Sequence, residues 1–432
     1  MRKLLLALTL ILLSIPALSA DKPNVVFIVS DDHDYEHLGF AGSKKAKTPA
    51  IDQLAKEGSV FNISHLPMSR CRPTLASFLS GKWPHQSGIY FNYGKGKLNP
   101  ANTIGNLMKK AGYECYAEGK FWEGDIKNFG FDYGAGKNTK QFVRKDQNNL
   151  DAFIEKFAGK KPMFIWWAPL LPHTPHNPPE RMKKLFNGNV KVSPYYKGDK
   201  SKYQKKEKTL LAMTSWLDEG VAQMVKKLKD KKQYENTLFV FLIDNGWCNG
   251  LPSKGSPFEK GVRTPIIFTY PKKIKGGQTF NTLTSTLDSF PTILEYCGIK
   301  VPNGAAGQSL KPIIDGKKKV NREKLFGAIY PAFAKGGSIE KDVYALYVRT
   351  EKWKFIYYVQ DVDKKGNGKK WRIQHILCDY PNRKKGHIDL FEINKDPYEQ
   401  KNVAPQHKKL TEEFKKEVLD WWKKTGGKSL KL

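Results

Sequence analysis

The stretch "NVVFIVSDD" (24–32) constrains the fold more than any other part of the chain. A strand with one wet face alternates apolar and polar residues. This one is apolar throughout and then ends in two aspartates, so it must be covered on both faces, as in a parallel sheet packed between helices. "TLFVFLIDNG" (237–246) repeats the pattern and ends in Asp244, Asn245 and Gly246. "PMFIWWAPLLPHTPH" (162–176) is a third run, closed by a loop rich in proline and histidine, and "TPIIFTYP" (264–271) is a fourth. Helical spacing lies between them: Leu210, Leu211, Met213, Leu217, Val221, Val225 and Leu228 mark a helix over 209–229, and a shorter helix over 103–111 is closed by Gly112. Strands alternating with helices predict an α/β sandwich around a large, mainly parallel sheet. Ligands of such sheets gather beyond the carboxyl ends of the strands, so the polar residues after these runs are expected on one rim.

The rest of the chain sets boundaries. "MRKLLLALTLILLSIPALSA" (1–20) has a basic start, a short apolar run and a small-residue end, which is the pattern of a secretory signal cleaved after Ala20. Export to the periplasm or medium follows, and no later segment is apolar enough to span a membrane. A core of 21–315 is expected to form the main α/β domain, with a smaller C-terminal subdomain over 316–432. There the lysine-rich 317–324 reads as a linker, 344–359 as a half-buried antiparallel strand, 363–370 as a loop tip and 407–424 as an amphipathic helix. The formal charge of +32 is spread along the whole chain. It favours polyanions, and in an exported protein an acidic glycan or a membrane surface is a better match than nucleic acid. The five cysteines, Cys71, Cys115, Cys248, Cys297 and Cys378, fit no zinc spacing, and their odd number leaves at least one unpaired.

Two features carry chemistry. Asp31, Asp32, Asp244 and the Asn245 amide offer only oxygen at the expected rim. Three carboxylates packed together repel without a cation, and hard oxygen donors suit Ca²⁺ or Mg²⁺ rather than zinc. The plain alternative is a helix cap at Asp31–Asp32 and a turn at Asp244–Asn245. The second feature is "SRCRPTLASFLSG" (69–81): Pro73 fits the first turn of a helix and Gly81 its end, which places Cys71 at a helix N-terminus. A thiol there is expected to have a lowered pKa, whereas a core cysteine would be inert.

These residues resemble the type I sulfatases of the alkaline-phosphatase superfamily. The resemblance is carried by Cys-x-Pro at a helix start, Asp-Asp after the first strand and Asp-Asn after a late one. It extends through "LGFAGSKKAKTPAIDQLAKEGSVF" (38–61), "GKWPHQSGI" (81–89), "AGYECYAEGKFW" (111–122), "KGSPFEKGVRTPIIF" (254–268) and "HIDLFEINKDPYEQKNVA" (387–404). It implies an alkaline-phosphatase-like fold and the hydrolysis of sulfate esters, with a sulfated carbohydrate as the expected substrate. It implies that a formylglycine-generating maturation enzyme oxidises Cys71 to formylglycine, whose hydrate is the oxygen nucleophile beside one Ca²⁺. By the same resemblance Asp31, Asp32, Asp244, Asn245 and residue 71 hold the metal. Lys120 and Lys254 bind sulfate oxygens, and His173 assists the leaving alcohol.

Two positions depart from the family pattern. Leu75 stands where the motif Cys-x-Pro-x-Arg has arginine, and Trp122 stands where Lys-x-His has histidine. An indole donates a hydrogen bond but is neither acid nor base near neutral pH. They motivate a second reading as a non-catalytic sulfatase-like binding protein. A phosphate or phosphonate ester hydrolase of the same fold is a third, although Asn at 245 in place of His argues against a two-zinc site. His33, His65, His85 and His176 are expected to be supporting residues at most.

Overall fold

The computed structural model describes residues 22–93, 96–136, 140–247, 250–317, 322–331, 337–362, 381–428 and 430. The signal segment, Cys248, Cys378, the loop tip 363–370 and the centre of the lysine-rich linker lie outside the described residues.

Among the described residues eleven strands form two sheets. The larger holds β1 (Asn24–Ser30), β2 (Ser59–His65), β3 (Glu114–Gly119), β4 (Met163–Ala168), β5 (Thr237–Ile243), β6 (Arg263–Thr269) and β7 (Gln278–Ser285), in the order β3-β4-β1-β5-β6-β2-β7. The pairs β3–β4, β4–β1, β1–β5 and β2–β7 are parallel. The fourth apolar run departs from expectation, because β6 is antiparallel to both neighbours. Only three of the four runs therefore end at the common rim, and β6 leads away from it.

Side-chain alternation along β1 shows why the run is apolar throughout. Val25, Phe27 and Val29 enter one core, while Val26 and Ile28 enter the other. The helix Cys71–Ser80 covers the first face, with Phe78 edge-on to Phe27 at 5.7 Å. The helix Lys200–Asp230 covers the second with Leu211, Leu217, Val221 and Leu228; it begins nine residues before the expected 209. Its first turns lack the apolar spacing that marks the rest, and Asp199 caps it by accepting from the Ser201 and Lys202 amides. Each large side chain buried this way contributes roughly 1.5–3 kcal/mol.

The smaller sheet is antiparallel, in the order β11-β10-β9-β8: β8 (Leu325–Ile329), β9 (Ala345–Arg349), β10 (Trp353–Tyr358) and β11 (Ile388–Glu392). The segment read as one strand over 344–359 is thus a hairpin, turning at 350–352. "RTEKWK" lacks a glycine or proline signal, which is why the turn escapes a pattern reading. The helix Lys408–Lys424 packs on this sheet through Phe414, Val418 and Trp422. Glu259 joins the two sheets: it lies 3.1 Å from His65, 3.4 Å from Arg349 and 3.1 Å from Lys354, all buried. Among the described residues no helix is long and apolar enough to cross a membrane.

Candidate active site

Four adjacent parallel strands deliver the site. β1 runs into Asp31 and Asp32, β5 into Asp244 and Asn245, β3 into Lys120, and β4 into the loop bearing His173. The backbone ties these ends together: the Asp31 amide donates to Leu171 O at 2.9 Å, and the Asp244 amide to Ser30 O at 2.9 Å. Asp32 takes a left-handed φ of 57°, which a short polar side chain tolerates. At Gly119 the backbone has φ +98°, and a Cβ there would lie 2.0 Å from Ala168 O. Only glycine lets β3 turn Lys120 toward Asp31 and Asp244 at that point.

Cys71 begins its helix, as expected, and is buried. Its Sγ lies 3.4 Å from Asn245 Oδ1, 4.0 Å from Asp32 Oδ1 and 3.2 Å from Lys254 Nζ. Lys254 also contacts Asp32, and Lys120 bonds Asp31 and, at 2.8 Å, Asp244 Oδ2. Asp244 Oδ1 accepts from the Asp32 amide at 3.0 Å, and Asn245 Nδ2 donates to Asp32 Oδ1 at 2.6 Å. His173 Nε2 stands 3.6 Å from Asp32 Oδ2. The Thr174 carbonyl, 2.9 Å from His173 Nδ1, can only accept, so Nδ1 carries a hydrogen and Nε2 faces the carboxylate. All eight sequence-derived residues thus form one connected cluster.

The electrostatics correct one expectation. The Cys71 thiol is pushed up, not down: burial dominates, and the pull of Lys120 and Lys254 does not reverse it. The helix N-terminus does not make it a reactive thiolate. Burial also raises Asp244 to about 6, against the pull of Lys120. Burial opposes the charge on Lys120, but Asp244 and Asp31 outweigh it and hold its pKa well above the ordinary value. On Lys254 burial is likewise outweighed, here by Asp32.

The donor set fits a hard divalent cation. Donor atoms of Asp31, Asp32 and Cys71 all lie within 4.8 Å of one another, and Asp31 Oδ2 is buried with no hydrogen-bond partner among the described residues. Two like charges 4 Å apart repel by ~4 kcal/mol at an effective dielectric of 20. Two lysine ammoniums oppose three carboxylates here, which leaves negative charge for a further cation.

The two departures are also placed. Leu75 is buried in the first-face core with Val29 and Phe78, so this position is used for packing. Trp122 packs edge-on to Tyr93 at 5.7 Å, with its indole nitrogen buried and without a partner among the described residues. Arg72 turns away to Glu123, with Nε–Oε1 at 2.8 Å and Nη2–Oε2 at 3.0 Å. His85 and His65 lie elsewhere: His85 Nε2 meets Thr425 Oγ1 at 2.8 Å, and His65 meets Glu259.

Sequence reading missed Arg144. Its Nη2 donates to Leu170 O at 2.6 Å and His173 O at 2.7 Å, and its Nη1 donates to Pro175 O at 3.0 Å and Asn177 Oδ1 at 2.7 Å. One guanidinium therefore clamps the loop that carries His173. Nothing local marks it, because its partners are backbone carbonyls about 30 residues away.

Fold and site together define a class: the alkaline-phosphatase-like α/β sandwiches, with an acidic, lysine-flanked cluster at the carboxyl edge of the sheet. The family model described as Sulfatase matches residues 23–299, and a second, N-sulphoglucosamine sulphohydrolase, C-terminal, matches 249–366. The chain belongs to the sulfatase family, the sulfuric ester hydrolases. It is 27% identical to an ulvan-active sulfatase of Formosa agariphila over 94% of this chain and 81% of that one. It is 27% identical to human arylsulfatase A over 89% of this chain and 84% of that one. Among solved structures, a protein bound to its substrate D-glucosamine-2-N,6-O-disulfate superposes with TM-score 0.78 at 20% identity, over 94% of this chain and 98% of that one. Ps i-CgsB in complex with k-i-k-neocarrahexaose gives TM-score 0.71 at 26% identity, over 93% and 92%.

Proposed function

We propose that this protein is an exported sulfatase acting on sulfate esters of a sulfated carbohydrate or polysaccharide. The observation that carries the reading is the convergence of Asp31, Asp32, Asp244, Asn245, Lys120, Lys254 and His173 around Cys71. The ligands in the names of its relatives and neighbours, ulvan, D-glucosamine-2-N,6-O-disulfate and k-i-k-neocarrahexaose, support the substrate class. The N-terminal segment 1–20 is the expected export signal. Residues 21–315 would form the catalytic domain, which holds every one of these groups, and 316–432 a C-terminal subdomain.

A single Ca²⁺ held by Asp31, Asp32, Asp244, Asn245 and residue 71 would polarise a sulfate oxygen, and formylglycine made from Cys71 by a maturation enzyme would provide, as its hydrate, the oxygen nucleophile. The chain's own residues do the rest. Lys120 and Lys254 present ammonium groups to the sulfate oxygens. His173, oriented by the contact of its Nδ1 with the Thr174 carbonyl, presents Nε2 toward the bridging oxygen of the departing alcohol. Asn245 holds the Asp32 carboxylate in place through its amide nitrogen.

The test is sulfate release from sulfated oligosaccharides by the exported protein supplied with Ca²⁺. Release that disappears in Asp244→Ala, together with calorimetric Ca²⁺ binding, is the expected result. Release of phosphate from phosphate esters with none of sulfate would overturn it.

A further inference from the structure

Seven lysine and arginine side chains are buried among the described residues: Arg70, Arg72, Lys120, Lys254, Lys260, Arg349 and Lys354. Six have carboxylates. Arg72 has Glu123, Lys120 has Asp31 and Asp244, Lys254 has Asp32, Lys260 has Asp34 and Glu36, and Arg349 and Lys354 share Glu259. Arg70 has none. It is 6% exposed, its Nε is buried without an acceptor, and its guanidinium makes no ion pair among the described residues. A buried charge without a counter-charge costs several kcal/mol, so folds keep one where an anion arrives.

The position of Arg70 says which anion. It directly precedes Cys71, at the N-cap position of that helix, and its side chain makes no capping bond. Its guanidinium lies flat on Gly255: a Cβ there would stand 2.3 Å from Nη2, 2.6 Å from Cζ and 2.9 Å from Nε. Gly255 follows Lys254, whose Nζ is 3.2 Å from Cys71 Sγ, and the Gly255 amide is held by Ser69 O at 2.7 Å. Arg70 is therefore one residue removed from both the nucleophile position and a sulfate-facing lysine. Yet it pairs with none of Asp31, Asp32 and Asp244, to which both lysines have gone. It lies beyond ion-pair reach of the reacting centre but beside it.

We propose that Arg70 binds a second acidic group of the substrate, a sulfate or carboxylate other than the sulfate being removed. The proposal rests on the sulfated-carbohydrate reading and sharpens it: the enzyme selects sugars with two acidic groups. The planar fork of an arginine suits either oxyanion, which accepts two parallel hydrogen bonds.

Arg70→Gln is compared with the unaltered protein on three ligands: N-acetylglucosamine 6-sulfate, glucosamine-2-N,6-O-disulfate and a sulfated disaccharide carrying a uronate. KM is read where a ligand is turned over, and calorimetric affinity where it is not. The unaltered protein should prefer at least one doubly acidic ligand. Arg70→Gln should weaken that ligand about 10–100-fold, with the singly acidic one little changed and kcat retained. Whether the disulfate or the uronate shows the loss identifies the second group. Arg70→Lys should recover part of it, since a point charge remains when the fork is lost. The melting temperature of Arg70→Gln should not fall. Equal loss on all three ligands, no preference in the unaltered protein, or a fall in melting temperature without a ligand-specific loss would overturn the proposal. If no ligand releases sulfate, the sulfatase reading fails while the affinities still decide the role of Arg70.

Discussion

At the residue scale the site is held from outside as much as from within. Arg144 touches none of the reacting groups, but it bonds three backbone carbonyls around His173. Arg144→Gln should lower kcat about 10–100-fold, because about 1.5–3 kcal/mol of charge-assisted bonding is lost from the loop. Ca²⁺ affinity should be unchanged, and steady-state kinetics beside a calcium titration separate the two. This residue also shows where sequence reading stops. Asp31, Asp32, Asp244 and Asn245 were legible because each follows a strand whose apolar run announces it. Cys71 was legible through Pro73 and Gly81, and Lys120, Lys254 and His173 through motif resemblance. Arg144 and Arg70 were not, because their meaning lies in what surrounds them: backbone carbonyls for one, the lack of a carboxylate among the described residues for the other. The direction of the Cys71 shift differs from the expectation for a related reason. A helix start is visible in sequence, while the burial that outweighs it is not.

At the element scale, the parallel strands were readable because burial on both faces removes alternation. The antiparallel β6 was not, since an apolar run has no direction written in it. The C-terminal helix docks through a histidine. His85 packs against Trp421 and Trp422, with ring centroids at 5.5 and 5.0 Å, and meets Thr425. Burial lowers its pKa to about 4, with the Thr425 contact opposing. The folded form therefore keeps the ring neutral between pH 6.5 and 4, while the unfolded chain takes up a proton. Stability from this group is full above about pH 6.5 and lost progressively as pH falls toward 4, by at most about 3 kcal/mol. Thermal unfolding across that range should show the decline, and His85→Gln should make it shallower.

At the scale of the whole molecule, the sheet places an acidic, metal-fitting cluster in a chain whose formal charge is +32. The local field suits a cation, and the long-range field favours a polyanion. The kcat/KM for a sulfated polymer should therefore fall steeply as salt rises, while a small aryl sulfate is less affected, since screening acts on the long-range part. The central claim is that residue 71 acts as formylglycine although Leu75 replaces the motif arginine. Its most direct test is the mass of the peptide carrying residue 71, taken from protein exported by a host with the maturation enzyme. The expected mass is that of the chain with the CH2SH group of Cys71 replaced by CHO. An unmodified thiol at that position, in protein that still releases sulfate, would contradict it.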